Sequence, residues 1–212
     1  MDTAFTRLVG CSHPLQQAAM GGVSGPELAG AVARAGALGM LCEFDLEPAP
    51  DRMTSALAGA GDGTIGMGFF GHRIQNDLGT FETAAARLRV GTAFVATHES
   101  RGHPAYVEAL LAAWSGDDTV LTTAFGEGWP DAPHRVLKSA LAAAEAFEGD
   151  VVGESGAPGA RQPVRRFSVA TPSRQVEGRI DAMALYAGMG VGSVSRVRPA
   201  ADLVAELVSR LV

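Results

Sequence analysis

The chain has 212 residues, of which 47% are apolar and 19% charged, and its formal net charge is −6. A chain this apolar and this weakly charged is expected to bury a core, so the composition excludes a disordered protein. The length predicts one domain, or one domain with a sizeable appendage. The acidic balance argues against nucleic-acid binding, because the largest basic cluster is Arg165-Arg166.

The two cysteines, Cys11 and Cys42, stand far apart and form no CxxC pair. This excludes a disulfide scaffold and a zinc site built from cysteines, and both thiols are expected to be small buried apolar groups. The N-terminal segment shows no basic region followed by an apolar one, and no apolar run approaches the ~18 residues of a membrane span. We therefore expect a soluble, cytoplasmic protein without a membrane partner.

The first ninety residues alternate short apolar runs with helical patterns, which is typical of βα units. Strands are predicted over residues 15–20, 40–44, 64–70 and 89–96. Helices are predicted over 52–60, over 77–88 and through the segment ELAGAVARAGA, which follows the first strand. Ser24 is expected to cap this last helix, with Pro26 and Glu27 in its first turn.

The second half of the chain has a different pattern. It predicts helices over 104–114, 133–147, 180–188 and 200–212, and a short strand or extended segment over 117–123. Residues 153–175 are rich in Gly, Pro, Ser and Arg, which predicts a flexible loop. The fold class expected from these patterns is α/β.

Several segments, taken in chain order, resemble the nitronate monooxygenases, once called 2-nitropropane dioxygenases. The matching segments are TRLVGCSHPLQQAAMGGVSGPELAGAVARAGALGML, TIGMGFF, RVGTAFVATHESRGHPAYVEALL, DTVLTTAFGEGWPDAPHRVLKSAL and ALYAGMGVGSVSRVRPAADLV. Members of this family are FMN-dependent (β/α)8 barrels related to flavin enoyl-reductases. The resemblance covers nearly the whole chain and implies that TIGMGFF is the third barrel strand and RVGTAFVA the eighth.

The resemblance also implies an FMN site. A barrel binds its ligand at the C-terminal ends of its strands, and small residues there let backbone amides approach a flat ring. By resemblance, Ala19, Met20 and Gly21 contact the isoalloxazine ring. The FMN phosphate is implied at Gly91 and Thr92, whose N–H and hydroxyl groups suit a phosphate.

The length limits what the resemblance can imply. A complete eight-stranded barrel normally needs about 250 residues, whereas the barrel-like region here spans residues 1–125. Segments resembling the first, second, third and eighth strands are present, and nothing resembles the fourth to seventh. The missing block would contain the second phosphate-binding turn and the family's catalytic histidine, so part of the FMN site is missing. In addition, Met189 stands where the family often has glutamine.

The expected architecture is therefore a partial TIM-type (β/α) barrel over residues 1–125, a half-barrel of about four parallel strands. A helical C-terminal region follows over 126–212, with the flexible loop at 153–175. The eighth, first, second and third strands are neighbours in a closed barrel, so they can form one sheet with two open edges and an uncovered inner face. Such a surface favours association, and we expect a homo-oligomer or association with a full-length relative.

The histidines do not have the spacing of a metal site, so no metal is expected. His98 and His103 flank the end of the predicted fourth strand, where a barrel does its chemistry. The favoured interpretation is that His103 enters a helix before Pro104 and that His98 lies on the surface. His72 is likewise placed in a surface loop rather than against a ligand. Glu43 points either inward or to solvent, and both interpretations stay open.

Two functions follow from the sequence. The resemblance implies a nitronate monooxygenase-like flavin oxidoreductase that acts on a small nitronate or nitroalkane-type substrate, with lost or altered activity. The alternative is a flavin-free binding or structural subunit, derived from the family, that oligomerises through its open half-barrel. Tyr186 lines the flavin site by family analogy or packs in the core, and no catalytic residue is identified.

Overall fold

The computed structural model describes residues 2–42, 58–61, 63–68, 89–127, 129–157 and 159–209. The chain forms two compact units: unit 1 comprises Met1–Ser100 and Val197–Val212, and unit 2 comprises Arg101–Arg196. Unit 2 is therefore inserted into the sequence of unit 1, and the boundary predicted at 125/126 lies within unit 2.

The described residues form six helices and nine strands with named bounds. In chain order they are α1 (Ala4–Val9), β1 (Gln16–Gln17), α2 (Pro26–Arg34), β2 (Gly39–Cys42), β3 (Ile65–Gly68), β4 (Arg89–Val90), α3 (Thr92–Val95), α4 (Pro104–Ala112), β5 (Thr119–Thr122), β6 (His134–Leu137), α5 (Lys138–Ala146), β7 (Val151–Ser155), β8 (Gln162–Arg165), β9 (Val176–Gly178) and α6 (Ala200–Ser209). Within the described ranges, none of the helices has the length and apolarity needed to cross a membrane.

The described strands of unit 1 are parallel and lie in the order β4-β1-β2-β3. β1 pairs with β4, and β2 pairs with β3 over four residues. A single bridge between Gln16 and Leu38 joins β1 to β2. The α/β class is therefore confirmed. The described strands do not close a barrel.

Helix α2 packs directly on β2. A Cβ atom at Gly39 would lie 2.0 Å from the Ala29 carbonyl oxygen, so the close approach of helix and strand requires glycine. The predicted start of this helix is corrected by one residue, because Gly25 is the N-cap and the Ser24 side chain does not cap it.

The core of unit 1 lies between the strands and their covering helices. It brings together buried side chains from the start of β1, from α2, from α3 and from α6. They are Leu15, Leu28, Ala31, Val32, Ala37, Phe94, Ala200, Leu203 and Val204. The C-terminal helix thus completes a core whose other parts come from the first hundred residues.

The sheet face opposite α2 is buried in the single chain. A Cβ at Gly66 would lie 2.6 Å from the sulfur of Met40 and 3.5 Å from Leu38, so these side chains share that face. Leu38, Met40 and Cys42 are only 8%, 6% and 4% exposed. The uncovered inner face expected from the sequence is therefore not observed at these residues.

Unit 2 is a mixture of helices and antiparallel strands. β5 pairs with β6, and β7 lies between β8 and β9. The helix predicted over 133–147 is wrong in its first part, because His134–Leu137 forms β6 and only Lys138–Ala146 is helical. His134 and Val136 alternate inward and pair with β5, so sheet pairing overrides the helical pattern there.

Two further predictions for unit 2 are corrected. The predicted loop over 153–175 contains β8 and the end of β7, because Val152 and Val164 are buried on this hairpin. The helix predicted over 180–188 is reduced to the 3₁₀ turn Ile180–Ala182, after which Tyr186 forms an antiparallel bridge with Val136. The region 126–212 is therefore not predominantly helical.

Some predictions fall outside the described residues. They include the helix over 77–88, the ends of the second and third predicted strands, most of the helix over 52–60, and the candidates Glu43 and His72. Residues 58–60 of the predicted 52–60 helix are described and are helical.

Candidate functional site

The C-terminal ends of β1 and β4 lie side by side. Gln17 pairs with Val90 at the last position of both strands, so the residues that follow each strand are neighbours. A Cβ at Gly91 would lie 3.4 Å both from the Ala18 Cβ and from the Met20 sulfur. The structure thus brings together the two sequence segments, Ala19 to Gly21 and Gly91-Thr92, that were predicted to bind FMN.

The Ser24 hydroxyl organises the turn after β1. It accepts a hydrogen bond from the Met20 N–H at 2.9 Å and donates one to the Ala18 carbonyl at 3.1 Å. The Val23 and Ser24 N–H groups both donate to the Met20 carbonyl, at 3.1 and 2.8 Å. Ser24 is 1% exposed, so the hydrogen bonds that stabilise the turn are made by a buried hydroxyl.

The side chain of Gln17, the last residue of β1, also stabilises this turn. Its side-chain amide nitrogen donates to the Ser24 Oγ at 2.7 Å and to the Ala18 carbonyl, and its Oε1 accepts from the Met40 N–H at 2.8 Å. The side chain is fully buried. Because each of its polar atoms has a partner, the burial costs little.

Two backbone donors remain on the turn. Among the described residues, the N–H groups of Ala19 and Gly21 have no hydrogen-bond partner, while the Met20 N–H between them is used by Ser24. The residues of the turn are partly exposed. The strand end therefore offers two free N–H groups on alternate residues to an acceptor-bearing ligand.

The predicted fourth strand is shorter than expected. It ends at Val90, and Gly91 becomes the N-cap of α3, with Thr92 as its first residue. The Gly91 carbonyl accepts hydrogen bonds from Phe94 N–H at 2.9 Å and Val95 N–H at 3.3 Å. Phe94 and Val95 are buried in the core, and their burial favours helical geometry over a continued strand.

His103 and His98 have structural roles. The Nδ1 atom of His103 accepts a hydrogen bond from the Ala105 N–H at 3.1 Å, which confirms that His103 caps helix α4. The His98 backbone N–H donates to the Arg198 carbonyl at 3.1 Å, and His98 is exposed. Within the described part of the chain, no cluster of acidic, histidine and cysteine side chains could hold a metal ion.

Burial favours the protonated forms of the Cys11 thiol and of both tyrosine hydroxyls. Burial raises the pKa of the Cys11 thiol, and Cys42 is buried on β2. The Tyr186 hydroxyl donates to the Val169 carbonyl at 3.0 Å, and its ring packs edge-on against His134 with centroids 5.6 Å apart. Burial raises the pKa of Tyr186 to about 12. These contacts place Tyr186 in the packing of unit 2.

The roles of Gln17 and Ser24 are not evident from the sequence. The available signal is that each is a polar residue next to apolar or small ones. The proximity of Ser24 to a helix favoured a cap, although its hydroxyl bonds backward to the turn instead.

The model of one protein family, Nitronate monooxygenase, matches residues 2–61 and 77–210. This chain belongs to the nitronate monooxygenase family. The two matched segments include the turn after β1 and the Gly91-Thr92 pair, so both halves of the candidate site lie within the match.

Two solved structures have a similar fold. FabK from Thermotoga maritima superimposes with a TM-score of 0.64 at 17% identity, covering 99% of this chain and 96% of FabK. A nitroalkane oxidase from Streptomyces ansochromogenes gives a TM-score of 0.50 at 18% identity, covering 98% of this chain and 97% of the oxidase. Identities this low show the shared fold alone. The search of curated proteins found no match.

Proposed function

We propose that this chain is a flavin oxidoreductase of the nitronate monooxygenase type, acting on a small nitronate or nitroalkane-type substrate. Family membership supports the reaction class. The observation that carries the proposal is the turn after β1, which lies against Gly91 and presents the free N–H groups of Ala19 and Gly21.

The residues present at the strand ends fit part of an FMN molecule. The Ala19 and Gly21 N–H groups would donate to acceptor atoms at the edge of the isoalloxazine ring. Gly91 and Thr92, at the start of α3, would hold the phosphate through an N–H group and a hydroxyl. FMN, when bound, supplies the ring that accepts electrons from a carbanionic nitronate.

The half-barrel and its association are part of the proposal. We propose that β4-β1-β2-β3 is the retained half of a (β/α)8 barrel, and that the chain forms a homo-oligomer or binds a full-length relative. Within the described residues, no further strand pairs with the outer edges of β3 and β4, and open edges favour association. Light scattering over a concentration series tests this, and a stable monomer at micromolar concentration contradicts it.

Cofactor binding is tested by incubating the purified protein with FMN, removing free FMN by gel filtration and recording the visible spectrum. We expect the wild-type chain to retain flavin. The variant Thr92→Phe should lose it, because the larger side chain occupies the phosphate position. Thr123→Phe, at an exposed position of unit 2, is the matched control and should retain flavin.

A wild-type protein that stays colourless after incubation with FMN overturns the flavin proposal. That result would favour the alternative function, a flavin-free binding or structural subunit. Equal flavin retention by Thr92→Phe and Thr123→Phe would place the phosphate elsewhere, because only the first variant blocks the start of α3.

A further inference from the structure

We infer that Gln17 and Ser24 are positioning residues that act as one unit to set the shape of the flavin-binding turn. Their side chains accept hydrogen bonds from some backbone N–H groups at the strand ends and leave other N–H groups available to a ligand. The inference rests on the proposed function for the identity of the ligand. The geometry of the turn, however, can be tested without flavin.

The Ser24 hydroxyl uses its whole hydrogen-bonding capacity inside the turn. A hydroxyl has one donor and two acceptor positions. Ser24 donates to the Ala18 carbonyl and accepts from the Met20 N–H and from the Gln17 side chain. It therefore ties the first and third residues of the turn, Ala18 and Met20, to one buried atom.

Gln17 completes the same unit and connects it to the sheet. In a regular parallel ladder, the Met40 N–H would donate to the backbone carbonyl of Gln17. The side-chain Oε1 of Gln17 takes this place instead. The regular rungs stop one position earlier, where Gln17 N–H donates to the Leu38 carbonyl at 3.0 Å. The side chain thus ends the ladder and lets the main chain turn away from β2.

These contacts decide which N–H groups remain available. The Met20 and Met40 N–H groups are satisfied by Ser24 and Gln17. The Ala19 and Gly21 N–H groups, on either side of Met20, are left without a partner among the described residues. The bond at Met20 fixes the turn while its two neighbours keep free donors, which pre-organises the turn for a ligand with two acceptor atoms.

The first experiment measures FMN affinity by titration of the wild type, Ser24→Ala, Gln17→Met and the double variant. We expect each single variant to weaken binding roughly tenfold or more, because the turn loses its fixed shape. The double variant should bind no more weakly than the poorer single variant, since the two residues act as a unit.

The control is Thr6→Val. Thr6 is a buried residue of α1 whose hydroxyl bonds to Thr3, the N-cap of this helix. This variant should lose thermal stability but bind FMN like the wild type. If Thr6→Val weakens FMN binding as much as Ser24→Ala, the effect reflects general destabilisation and the positioning role is overturned. Additive losses in the double variant would overturn it as well.

The second experiment separates this inference from the proposed function. Amide hydrogen exchange is measured without FMN on the wild type and on Ser24→Ala. We expect Met20 and Met40 to exchange at least tenfold faster in the variant, with α1 unchanged. If the wild type binds no FMN but exchange accelerates as expected, the flavin proposal fails and the positioning role stands. Unchanged exchange at both amides overturns the positioning role whether or not FMN binds.

Discussion

The side-chain Oε1 of Gln17 accepts a hydrogen bond from the Met40 N–H at 2.8 Å, in the place that a main-chain carbonyl occupies in a regular parallel sheet. One buried amide thereby joins β1 to β2 beyond the last regular rung between them. The same amide also bonds to Ser24, so strand pairing and the shape of the following turn depend on a single side chain.

Gln17→Met tests the energetic value of this contact. Methionine has a similar length but cannot accept the Met40 N–H, which then stays buried without a partner. We expect the free energy of unfolding to fall by about 2 kcal/mol, measured by urea denaturation. The exposed Gln175 is the matched control, and Gln175→Met should change stability by only a few tenths of a kcal/mol. Equal stability of Gln17→Met and the wild type would contradict the assigned contact.

Gly39→Ala should push α2 away from the sheet. The added methyl group would lie 2.0 Å from the Ala29 carbonyl oxygen. This contact can be relieved only by displacing the backbone of α2, which costs stability. We expect a loss of about 2–3 kcal/mol in the free energy of unfolding. At Gly190 a Cβ meets nothing within 4 Å, so Gly190→Ala serves as the control and should be close to neutral. Thermal denaturation checks this: Gly39→Ala should have a clearly lower Tm than Gly190→Ala, and equal Tm values would contradict the prediction.

Glu99→Ala should loosen the C-terminal helix. The Glu99 carboxylate accepts a hydrogen bond from the Ala200 N–H, at the first residue of α6, at 2.9 Å. Its removal leaves a helix N-terminus without this acceptor and should cost about 1 kcal/mol. Hydrogen exchange should accelerate in α6, whereas Glu108→Ala, at an exposed site in α4, should leave α6 unchanged. The assigned role of Glu99 is wrong if the amides of α6 exchange at the same rate in Glu99→Ala and in Glu108→Ala.

Tyrosine ionisation should destabilise unit 2 at high pH. Burial raises the pKa of Tyr186 from 10.0 to about 12, and it also raises the pKa of Tyr106. Between pH 10 and 12 the unfolded chain releases the Tyr186 proton while the folded chain keeps it, so the free energy of unfolding falls as pH rises.

The measurement is a spectrophotometric titration of tyrosinate, which is simple because the chain contains only two tyrosines. The folded protein should show little tyrosinate near pH 10, and both groups should titrate near that pH in denaturant. Tyr186→Phe should reduce the loss of stability between pH 10 and 12. Tyrosinate formation near pH 10 in the folded wild type would contradict the burial of both hydroxyls.

The local patterns predicted unit 1 better than unit 2. Leu28, Ala31 and Val32 form an apolar stripe on α2, and glycines lie at the end of this helix and the start of β2. These local signals indicate a helix followed directly by a strand. In unit 2, the alternation of His134 and Val136 is too short to identify a strand without its partner, β5. The valines of the β7-β8 hairpin are likewise isolated among loop-forming residues.

The sequence indicated which chain segments lie together at the candidate site, but not the contacts that shape it. The expected strand order makes the first and last barrel-like strands neighbours, and in the structure Met20 and Gly91 lie next to each other. The hydrogen bonds of Gln17 and Ser24 could not be predicted, because they depend on the main-chain path of the turn. The start of α3 after Gly91 also depends on a tertiary effect, the burial of Phe94 against a helix from the far end of the chain.

The core of unit 1 joins Leu15 and Leu28 to Leu203 and Val204, and the whole of unit 2 lies between these pairs in the sequence. On a ribosome, the N-terminal part of this core emerges long before α6 and cannot be completed until α6 has been made. Unit 2 is continuous and can fold while synthesis proceeds. Unit 1 should therefore fold last, and the nascent chain should expose the apolar stripe of α2 to chaperones until then.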